Sequence, residues 1–590
     1  MNNSSSISGL APVRQNAWVH TIRNLAREYA TAANLVGLAG VLLALFLFVA
    51  PLPNQWNIRL PFYLVLFVWI VLRPRVALYL MPVAVPWGSL DTFSIAGLNV
   101  NGSDILVAFL IIAWLMSFAL RPALAYGRSG ALIEDAGPRD REVTTAPPYL
   151  ILALVILLVA MSLSLTVALS KSDSIKEISK WVEFLVLIVL GTQYLRTRRQ
   201  IWILIAIICL AGVSQAFYGY FQAFFDLGPA SFIRDTSLRV YGTFGQPNPF
   251  AGYLNIPLSI ALALLLLGSN WRTRILGGLI ALLLGGAEYL TQSRGGEIAI
   301  GAALIFIVYC GLPHLRRVIG LGVLAGLGIL ELFFTGFIPD YVLTPVLKYL
   351  GLVQISFTTP SAQDYSTAER LAHWIAGFRM FITHPLFGVG IGNYPDAYPN
   401  YYITIFVNSL GHAHNYYINI AAETGAVGLT ALLLFLMATF VAGGQAYKTI
   451  NKRYIECVEV EQNEQGRDAS GRDQSRPYAI KLPRPRATKP AGLRDKVFYL
   501  LHPVKMVEYY RPQGSRGVIE TMKNNRALAI GLIAALITVC VHNLVDDLYV
   551  HSVTNLIALL LIALIRLGGV TSSQVGGHGG NFDYRQIVKR

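Results

Sequence analysis

Charged residues are scarce in this sequence: they make up 13% of its 590 residues, whereas hydrophobic residues make up 54%. A typical soluble domain is about one-quarter charged, so this balance argues against one. Cysteine is scarce as well. The four cysteines, at positions 209, 310, 457 and 540, lack metal-ligand spacing, and we expect free thiols rather than a disulfide framework. Residues 1–33 also lack the pattern of a cleaved signal peptide.

The hydrophobic residues gather in continuous runs of about twenty, the length needed to cross ~30 Å of hydrocarbon. These runs do not alternate apolar with polar positions, which excludes a transmembrane β-barrel. We therefore predict an all-α polytopic membrane protein with about 12–14 transmembrane helices. The apolar segments are centred near residues 43, 66, 81, 112, 158, 185, 211, 259, 281, 304, 326, 430, 537 and 561.

Basic residues mark one side of the predicted membrane. With fourteen spans, the Lys and Arg clusters between spans all fall on the side that the positive-inside rule makes cytoplasmic, together with both termini. The net charge of +15 is then a topology signal that requires no nucleic-acid partner. The predicted divisions are a cytoplasmic tail (1–33), transmembrane helices with outward loops that carry Arg239 and Arg294 (34–336), a large outward loop (337–413), a transmembrane helix opening at a His-Asn motif (414–447), a basic cytoplasmic insertion (448–525), the last transmembrane helices (526–568) and a cytoplasmic tail (569–590).

The insertion at 448–525 mixes both charges with Gln, Gly and Pro, a composition typical of a flexible, solvated tether. Residues 499–510 within it suit an interfacial helix beside anionic lipid. A partner-binding site is the less favoured alternative for this segment.

Three polar stretches fall on the predicted outward side, each at a join between apolar runs: Arg239–Asn248, Thr291–Glu297 and Gly411–Gly428. Together they supply two arginines and a histidine. Because arginine binds phosphate oxygens in two-point contacts, this set suits a phosphorylated substrate at a membrane surface.

Arg239 precedes a turn-forming run in which Asn248 and Pro249 suit the N-cap and first turn of the next helix. A guanidinium above a helix N-terminus suits phosphate. The alternative is an interfacial anchor or a loop salt bridge with Asp235.

Arg294 sits in a very short outward turn, where the positive-inside rule disfavours an arginine. Such a charge near the membrane face requires an anionic partner. That partner is either a substrate pyrophosphate or a nearby acid, Glu297 or Glu288.

His414 directly precedes Asn415, which suits the N-cap of the following helix. The positive end of that helix favours neutral imidazole, the form that accepts a proton. The alternatives are a capping histidine or, with His412, half of a metal site. Two ligands without a third carboxylate or histidine in register are weak evidence for metal, so we predict none. The histidines that we predict to be mostly structural or interfacial are His373, His384, His542 and His551.

Tyrosines are dense between residues 394 and 417. Their aromatic faces and hydroxyls suit a sugar, but tyrosine also populates membrane interfaces, and both interpretations stay open. The nearby GVGIG at 388–392 follows no strand, which makes it a poor nucleotide-binding candidate.

Four motifs carry a family resemblance: RVYGTFGQPNPFAGY from Arg239, TQSRGG from Thr291, ERLAHWIAGFRMFITHPLFGVGIGNY from Glu369 and HAHNYYINIAAETGAVGLTALL from His412. In this order and spacing, the region up to Leu433 resembles the O-antigen ligase and polymerase superfamily of bacterial membrane glycosyltransferases. The long basic insertion and the additional spans depart from the usual pattern of that family.

The resemblance implies transfer of a glycan from undecaprenyl diphosphate to an acceptor hydroxyl at the outer face of the inner membrane, with no cofactor and no metal. Arg239 and Arg294 match the arginines that hold the diphosphate, and His414 matches the histidine that activates the acceptor as a general base. A single displacement inverts the anomeric carbon. Further possible contacts to glycan or diphosphate are Arg370, Tyr241, Asn248, Tyr394, Asn415 and Tyr416.

Several acceptors remain open at this point. The ligase type, which builds lipopolysaccharide on a lipid acceptor, is favoured, with a repeat-unit polymerase and a protein O-oligosaccharyltransferase as alternatives. A transporter or lipid flippase is the alternative from a different class. Transporters place polar residues near the bilayer midplane, whereas here they collect at the outer face, which favours an enzyme.

Overall fold

The computed structural model describes residues 56–88, 93–95, 98–126, 146–234, 237–337, 339, 356–360, 365–470, 515–549 and 552–572. Within these residues the chain is 79% helical with almost no strands, which confirms the predicted all-α class. The four cysteines are free thiols. Six described helices are long and apolar enough to cross a membrane: Arg198–Phe224, Pro247–Leu267, Trp271–Leu290, Arg294–Gly311, Tyr416–Glu459 and Gly517–His542.

The elements of the described residues are numbered in chain order. The helices are α1 (Trp56–Leu72), α2 (Arg75–Trp87), α3 (Gly102–Tyr126), α4 (Pro148–Ser164), α5 (Lys171–Tyr194), α6 (Arg198–Phe224), α7 (Pro247–Leu267), α8 (Trp271–Leu290), α9 (Arg294–Gly311), α10 (Arg316–Phe334), α11 (Tyr365–Thr383), α12 (Tyr394–Ala397), α13 (Tyr416–Ser470), α14 (Ser515–His542) and α15 (Val553–Ser572). The strands form two antiparallel hairpins, β1 (Phe93–Ile95) with β2 (Leu98–Val100) and β3 (Ile233–Arg234) with β4 (Ser237–Leu238).

The predicted apolar segments coincide with these helices. Every predicted centre from residue 66 onward lies inside a helix, and the centre near residue 43 lies outside the described residues. The tail at 1–33, most of the tail at 569–590, and residues 471–514 of the predicted insertion also lie outside them.

Helical structure extends into both ends of the predicted insertion at 448–525. Helix α13 continues to Ser470, and α14 begins at Ser515. The segment after residue 448 is rich in Lys, Glu, Gln and Arg, which are good helix formers. Polarity keeps such a segment out of hydrocarbon, but it does not prevent helix formation.

The chain divides into two compact units. One comprises residues 1–80 and 90–141; in its described part α1 packs against α3, where the rings of Phe67 and Phe109 lie 5.1 Å apart. The other comprises residues 81–89 and 142–590. Its centre is formed by α7 and α14, which pack together and are the most buried of the six candidate spans.

A break in α13 positions the loop that precedes the candidate site. Gly425 has φ of 66°, and a Cβ there would lie 2.3 Å from the backbone of Leu386, so only glycine fits without strain. The backbone N–H of Ala426 donates to the carbonyl of Pro385 across this break, at 2.8 Å. The backbone of the GVGIG segment therefore bonds to α13, as when Gly390 N–H donates to Glu423 O at 2.9 Å.

Candidate active site

Arg239 connects the chain before α7 to the short turn between α8 and α9. Its Nε donates to the carbonyl of Thr291 at 3.0 Å, and its Nη2 donates to Asn248 Oδ1 at 3.2 Å. The next backbone N–H, of Val240, donates to Leu290 O at 3.1 Å. The first two predicted polar stretches therefore meet, with Arg239 held against the turn that leads into Arg294.

The predicted capping role of Asn248 is wrong. Helix α7 begins at Pro247, and its N-cap is Gln246, whose side chain makes no capping hydrogen bond. Proline is favoured at the first helical position, so the helix starts two residues earlier than predicted. Asn248 instead accepts a hydrogen bond from Arg239. Asp235, the alternative partner of Arg239, lies outside the described residues.

Arg294 is the first residue of α9, directly after the N-cap Ser293. The following residue, Gly295, is buried against the chain that joins α14 to α15. A Cβ on Gly295 would lie 2.5 Å from Val545 Cγ2 and 3.8 Å from His542 Cε1. The start of α9 therefore packs directly on the segment that carries Asp546.

Asp546 brings two histidines together. Its carboxylate is almost completely buried, and its Oδ1 lies 3.1 Å from His412 Nε2 and 3.5 Å from His414 Nδ1. The first distance is that of a hydrogen bond; the second is longer than an ordinary one, so that contact acts mainly through charge. The two imidazole rings lie 4.4 Å apart.

Hydrogen bonds to backbone carbonyls hold the start of α13 against the same segment. Tyr416 N–H donates to Asn543 O at 2.9 Å, and Asn415 Nδ2 donates to Leu544 O at 2.8 Å. Asn415 Oδ1 accepts from Ile418 N–H at 3.1 Å, which confirms the predicted capping role of Asn415.

His414 has a left-handed backbone conformation, with φ of 52°. This conformation is uncommon for residues other than glycine and is found at constrained sites. Trp374 Nε1 on α11 donates to the carbonyl of His414 at 3.2 Å and helps to hold it there. His414 is thus held by a tertiary contact as well as by its position next to Asn415, the cap of α13.

Helix α11 adds a second histidine and an arginine beside His414. His373 is fully buried; its ring stacks on Tyr398 at 4.6 Å and lies 5.5 Å from the ring of His414. Arg370 is half-buried, and its charge acts on His414. Within the described part of the chain, Arg370 has no hydrogen bond or salt bridge, so its guanidinium is available to an anionic ligand.

Two tyrosines predicted as possible glycan contacts lie in the protein interior instead. Tyr394 has no exposed surface, and its hydroxyl donates to the carbonyl of His373 at 2.9 Å. Tyr416 is 4% exposed and packs on Tyr549 with ring centres 4.4 Å apart. Both positions serve packing because they face other elements rather than solvent. Tyr241 is half-buried, and its hydroxyl donates to Leu227 O at 3.3 Å.

The pKa values of His412 and His414 shift in opposite directions. Burial alone would raise the pKa of Asp546, but its contacts with His412 and His414 hold that pKa well below its usual value. Burial alone would lower the pKa of His412, but the hydrogen bond and charge of Asp546 raise it. Burial lowers the pKa of His414, and the charges of His412 and Arg370 lower it further, against the opposing effect of Asp546. His414 therefore favours the neutral form, as predicted, with burial as its main cause.

The structure supplies the third metal-capable group that the sequence did not reveal. The ligand atoms of His412, His414 and Asp546 all lie within 4.8 Å of one another. Asp546 belongs to an Asp-Asp pair at 546–547, just after α14. The only sequence signal was the position of this acidic pair at a predicted outward end of a span; its partner 132 residues earlier in the chain, His414, could be assigned only from the fold.

Residues 279–433 match the family model described as O-antigen ligase. This segment is similar to the O-antigen ligase family and is called the O-antigen ligase domain below. The match covers about a quarter of the chain and includes Arg294, Arg370 and His414, whereas Arg239 and Asp546 lie outside it. The domain supports a membrane glycosyltransferase of the O-antigen ligase and polymerase family. No curated protein matches the chain.

Around the O-antigen ligase domain, the structure brings several charged and titratable side chains toward one region. Arg239 and Arg294 approach the same turn, and the start of α9 contacts the segment that carries Asp546. That carboxylate faces His414, with Arg370 nearby. A neutral histidine beside fixed cations can accept a proton while the cations stabilise a developing negative charge.

Proposed function

We propose that this protein transfers a glycan from an undecaprenyl-diphosphate carrier to an acceptor hydroxyl, in the manner of an O-antigen ligase, at the outer face of the inner membrane. The observation that carries the proposal is His414, which lies within the O-antigen ligase domain and faces the buried carboxylate of Asp546. Burial, together with the charges of His412 and Arg370, lowers the pKa of this histidine against the opposing effect of Asp546, so the neutral form is favoured. Neutral imidazole at a membrane-protein surface beside arginines suits a base that works on a phosphorylated donor.

His414 acts as the general base through Nε2. Its Nδ1 points toward Asp546 Oδ1 at 3.5 Å, so the carboxylate favours the tautomer with the proton on Nδ1. The free lone pair on Nε2 then accepts the proton as the acceptor oxygen attacks the anomeric carbon. A bond forms between that oxygen and the sugar, the bond between the sugar and the diphosphate breaks, and undecaprenyl diphosphate leaves as an anion. Because attack and departure occur on opposite faces, the anomeric carbon is inverted, and no metal takes part.

The arginines bind the diphosphate and stabilise the leaving group. Arg239 is held by Thr291 O and Asn248 Oδ1, which orient its guanidinium before substrate binds. Arg294 begins α9, where the helix N-terminus adds positive potential. Arg370 is the third cation, close enough to His414 to act on it. Negative charge grows on the diphosphate as the bond breaks, so fixed cations lower the barrier to transfer.

The experiment is complementation of a clean deletion with wild type or His414→Ala, with His384→Ala as a matched control at an exposed histidine. We expect His414→Ala to abolish transfer at unchanged protein level, because general-base catalysis contributes about 10²–10⁴-fold and no described residue replaces it. Near-normal transfer in His414→Ala would eliminate the proposed base.

The length and attachment of the surface glycan distinguish the members of the family. Long chains that remain on undecaprenyl diphosphate in the variant identify a ligase. Single repeat units already attached to the final acceptor identify a polymerase. Loss of glycan from protein serine or threonine identifies a protein O-oligosaccharyltransferase. An unchanged glycan in the deletion strain would contradict the proposed substrate.

A further inference from the structure

We propose that His412, His414 and Asp546 form a binding site for a divalent transition metal ion of the zinc type, and that the bound ion inhibits glycan transfer. The inhibitory part rests on the proposed function, because it requires His414 to be the base. The binding part rests on the geometry of the three side chains alone.

The distances from the Asp546 carboxylate to the two histidines fit those of a tetrahedral zinc site. With Zn–N and Zn–O distances of about 2.0–2.1 Å, two ligands at the tetrahedral angle lie about 3.3 Å apart. The distances from Asp546 Oδ1 to His412 Nε2 and to His414 Nδ1 are 3.1 and 3.5 Å, on either side of that value. All three ligand atoms lie within 4.8 Å of one another. In a four-coordinate site, water would be the fourth ligand.

Two buried polar atoms in this cluster lack a hydrogen-bond partner. They are His414 Nδ1 and Asp546 Oδ2, as far as the described residues extend. A buried polar atom without a partner costs about 1–3 kcal/mol, and an ion bound to His414 Nδ1 and to the carboxylate would offset this cost. Asp546 itself is 2% exposed, which makes this a formed site rather than a surface group of acids.

The donor set selects the class of metal. Two imidazoles and one carboxylate suit Zn²⁺ and its first-row neighbours, whereas Mg²⁺ and Ca²⁺ prefer oxygen ligands. A second layer of contacts orients these ligands. Asp547 N–H donates to Asp546 Oδ1 at 3.0 Å, and Trp374 holds the carbonyl of His414. Such outer contacts typically support metal affinity.

Metal binding and base catalysis require opposite tautomers of His414. A metal on Nδ1 uses the lone pair of that nitrogen, so the imidazole proton moves to Nε2. Nε2 then has no lone pair to accept a proton from the acceptor hydroxyl. As a base, His414 needs the proton on Nδ1 and the lone pair on Nε2. The bound ion therefore removes the base without displacing the donor substrate.

Binding is tested with the full chain in lipid nanodiscs after treatment with a chelator. Co²⁺ is titrated and followed by its visible absorption, and Zn²⁺ is measured by calorimetry. The key variant is His412→Gln, which removes a ligand while keeping an N–H donor for Asp546; His384→Gln is the matched control at an exposed site. We expect one ion per chain in wild type and control, and affinity weaker by about tenfold or more in His412→Gln. Equal affinity in His412→Gln, or no binding in wild type, would overturn the site.

Inhibition is tested by titrating Zn²⁺ into the transfer assay. We expect Zn²⁺ to stop transfer by wild type, a chelator to restore it, and the inhibitory concentration to rise about tenfold in His412→Gln. Full transfer at saturating Zn²⁺ would overturn the inhibitory role. Failure of the proposed function is recognised separately. In that case His414→Ala would retain transfer, while Co²⁺ absorption of the wild-type protein would still report the metal site.

Discussion

Replacing Asp546 with asparagine removes the carboxylate between His412 and His414, and we expect turnover to fall about 10²–10⁴-fold. The carboxylate is 2% exposed, and its Oδ1 lies 3.5 Å from His414 Nδ1. An asparagine amide N–H at this position donates to Nδ1 and places the imidazole proton on Nε2. In Ser-His-Asp hydrolases the wrong tautomer costs about 10⁴-fold. The expected loss corresponds to about 3–5 kcal/mol of activation free energy, at about 1.36 kcal/mol per factor of ten.

The pH profile separates this effect from simple unfolding. Asp546 opposes the lowering of the His414 pKa, so its removal lowers that pKa further and moves the acid limb of the rate profile to lower pH. Turnover of the purified variant is measured in chelator between about pH 5 and 8, where histidine titrates. A variant that is only partly folded would lose amplitude without a shift of the acid limb.

The matched control is Asp396→Asn, at an exposed aspartate outside the cluster. Its turnover and acid limb should equal those of wild type. Thermal unfolding in detergent checks that Asp546→Asn is folded at the assay temperature, since breaking a buried pair can cost about 3–5 kcal/mol. Turnover of folded Asp546→Asn within about threefold of wild type, with an unchanged acid limb, would refute the proposed orientation of His414.

Three further changes test other contacts. Asn248→Ala removes the hydrogen-bond acceptor of Arg239. Because a hydrogen bond to a charged group contributes about 1.5–3 kcal/mol, we expect kcat/KM for transfer to fall about tenfold or more. An unchanged kcat/KM would contradict the role of Asn248 in orienting Arg239. Gly425→Ala places a Cβ at positive φ against neighbouring backbone and should lower the free energy of unfolding by at least about 1 kcal/mol. The control is Gly444→Ala, where a Cβ meets no other atom of the described residues, and it should preserve or raise the free energy of unfolding. Equal melting temperatures of the two variants would contradict this account. Burial lowers the pKa of His373 to about 3 in the folded protein. As the pH falls below about 6.5, the unfolded chain therefore binds a proton that the folded protein does not, and the free energy of unfolding decreases until the pH reaches the folded pKa. Between about pH 7 and 5 the free energy of unfolding should fall by about 2 kcal/mol, at about 1.36 kcal/mol per pH unit. His373→Phe should remove this part of the pH dependence of thermal unfolding.

Local pattern was enough to predict the helices and one of the site contacts of this chain. Apolar runs near 259 and 281 could only become helices in hydrocarbon, because every backbone hydrogen bond must then be made within the segment. Asn415 was identified as a cap because the capping bond joins residues three apart, Asn415 and Ile418. The count of spans predicted that the stretches around Arg239 and Arg294 lie on the same side of the membrane, whereas their contact is known only from the fold.

Local pattern gave wrong predictions where two residues were equally suited to a helix start and where burial determined whether a side chain is accessible. Asn248 was predicted as the cap because Pro249 follows it, but Pro247 suits a first helical turn equally well, and the helix begins there. Tyr394 was a reasonable sugar contact by type, but α11 and α13 enclose it completely. Side-chain chemistry alone does not reveal which tyrosine of a dense group faces solvent.

By itself, the sequence determined that this protein is helical, that it crosses a membrane, and which of its arginines and histidines are unusual for their positions. These properties depend on hydrophobic run length and on residues a few positions apart. Only the tertiary structure decided that Asp546 joins His412 and His414, that Trp374 holds the His414 carbonyl, and that the start of α9 packs on the same segment. Those contacts join residues that are distant in the chain. They form only because helix packing brings the starts of α9 and α13, the end of α14 and the middle of α11 together in one buried region, where the low local dielectric strengthens charges and hydrogen bonds.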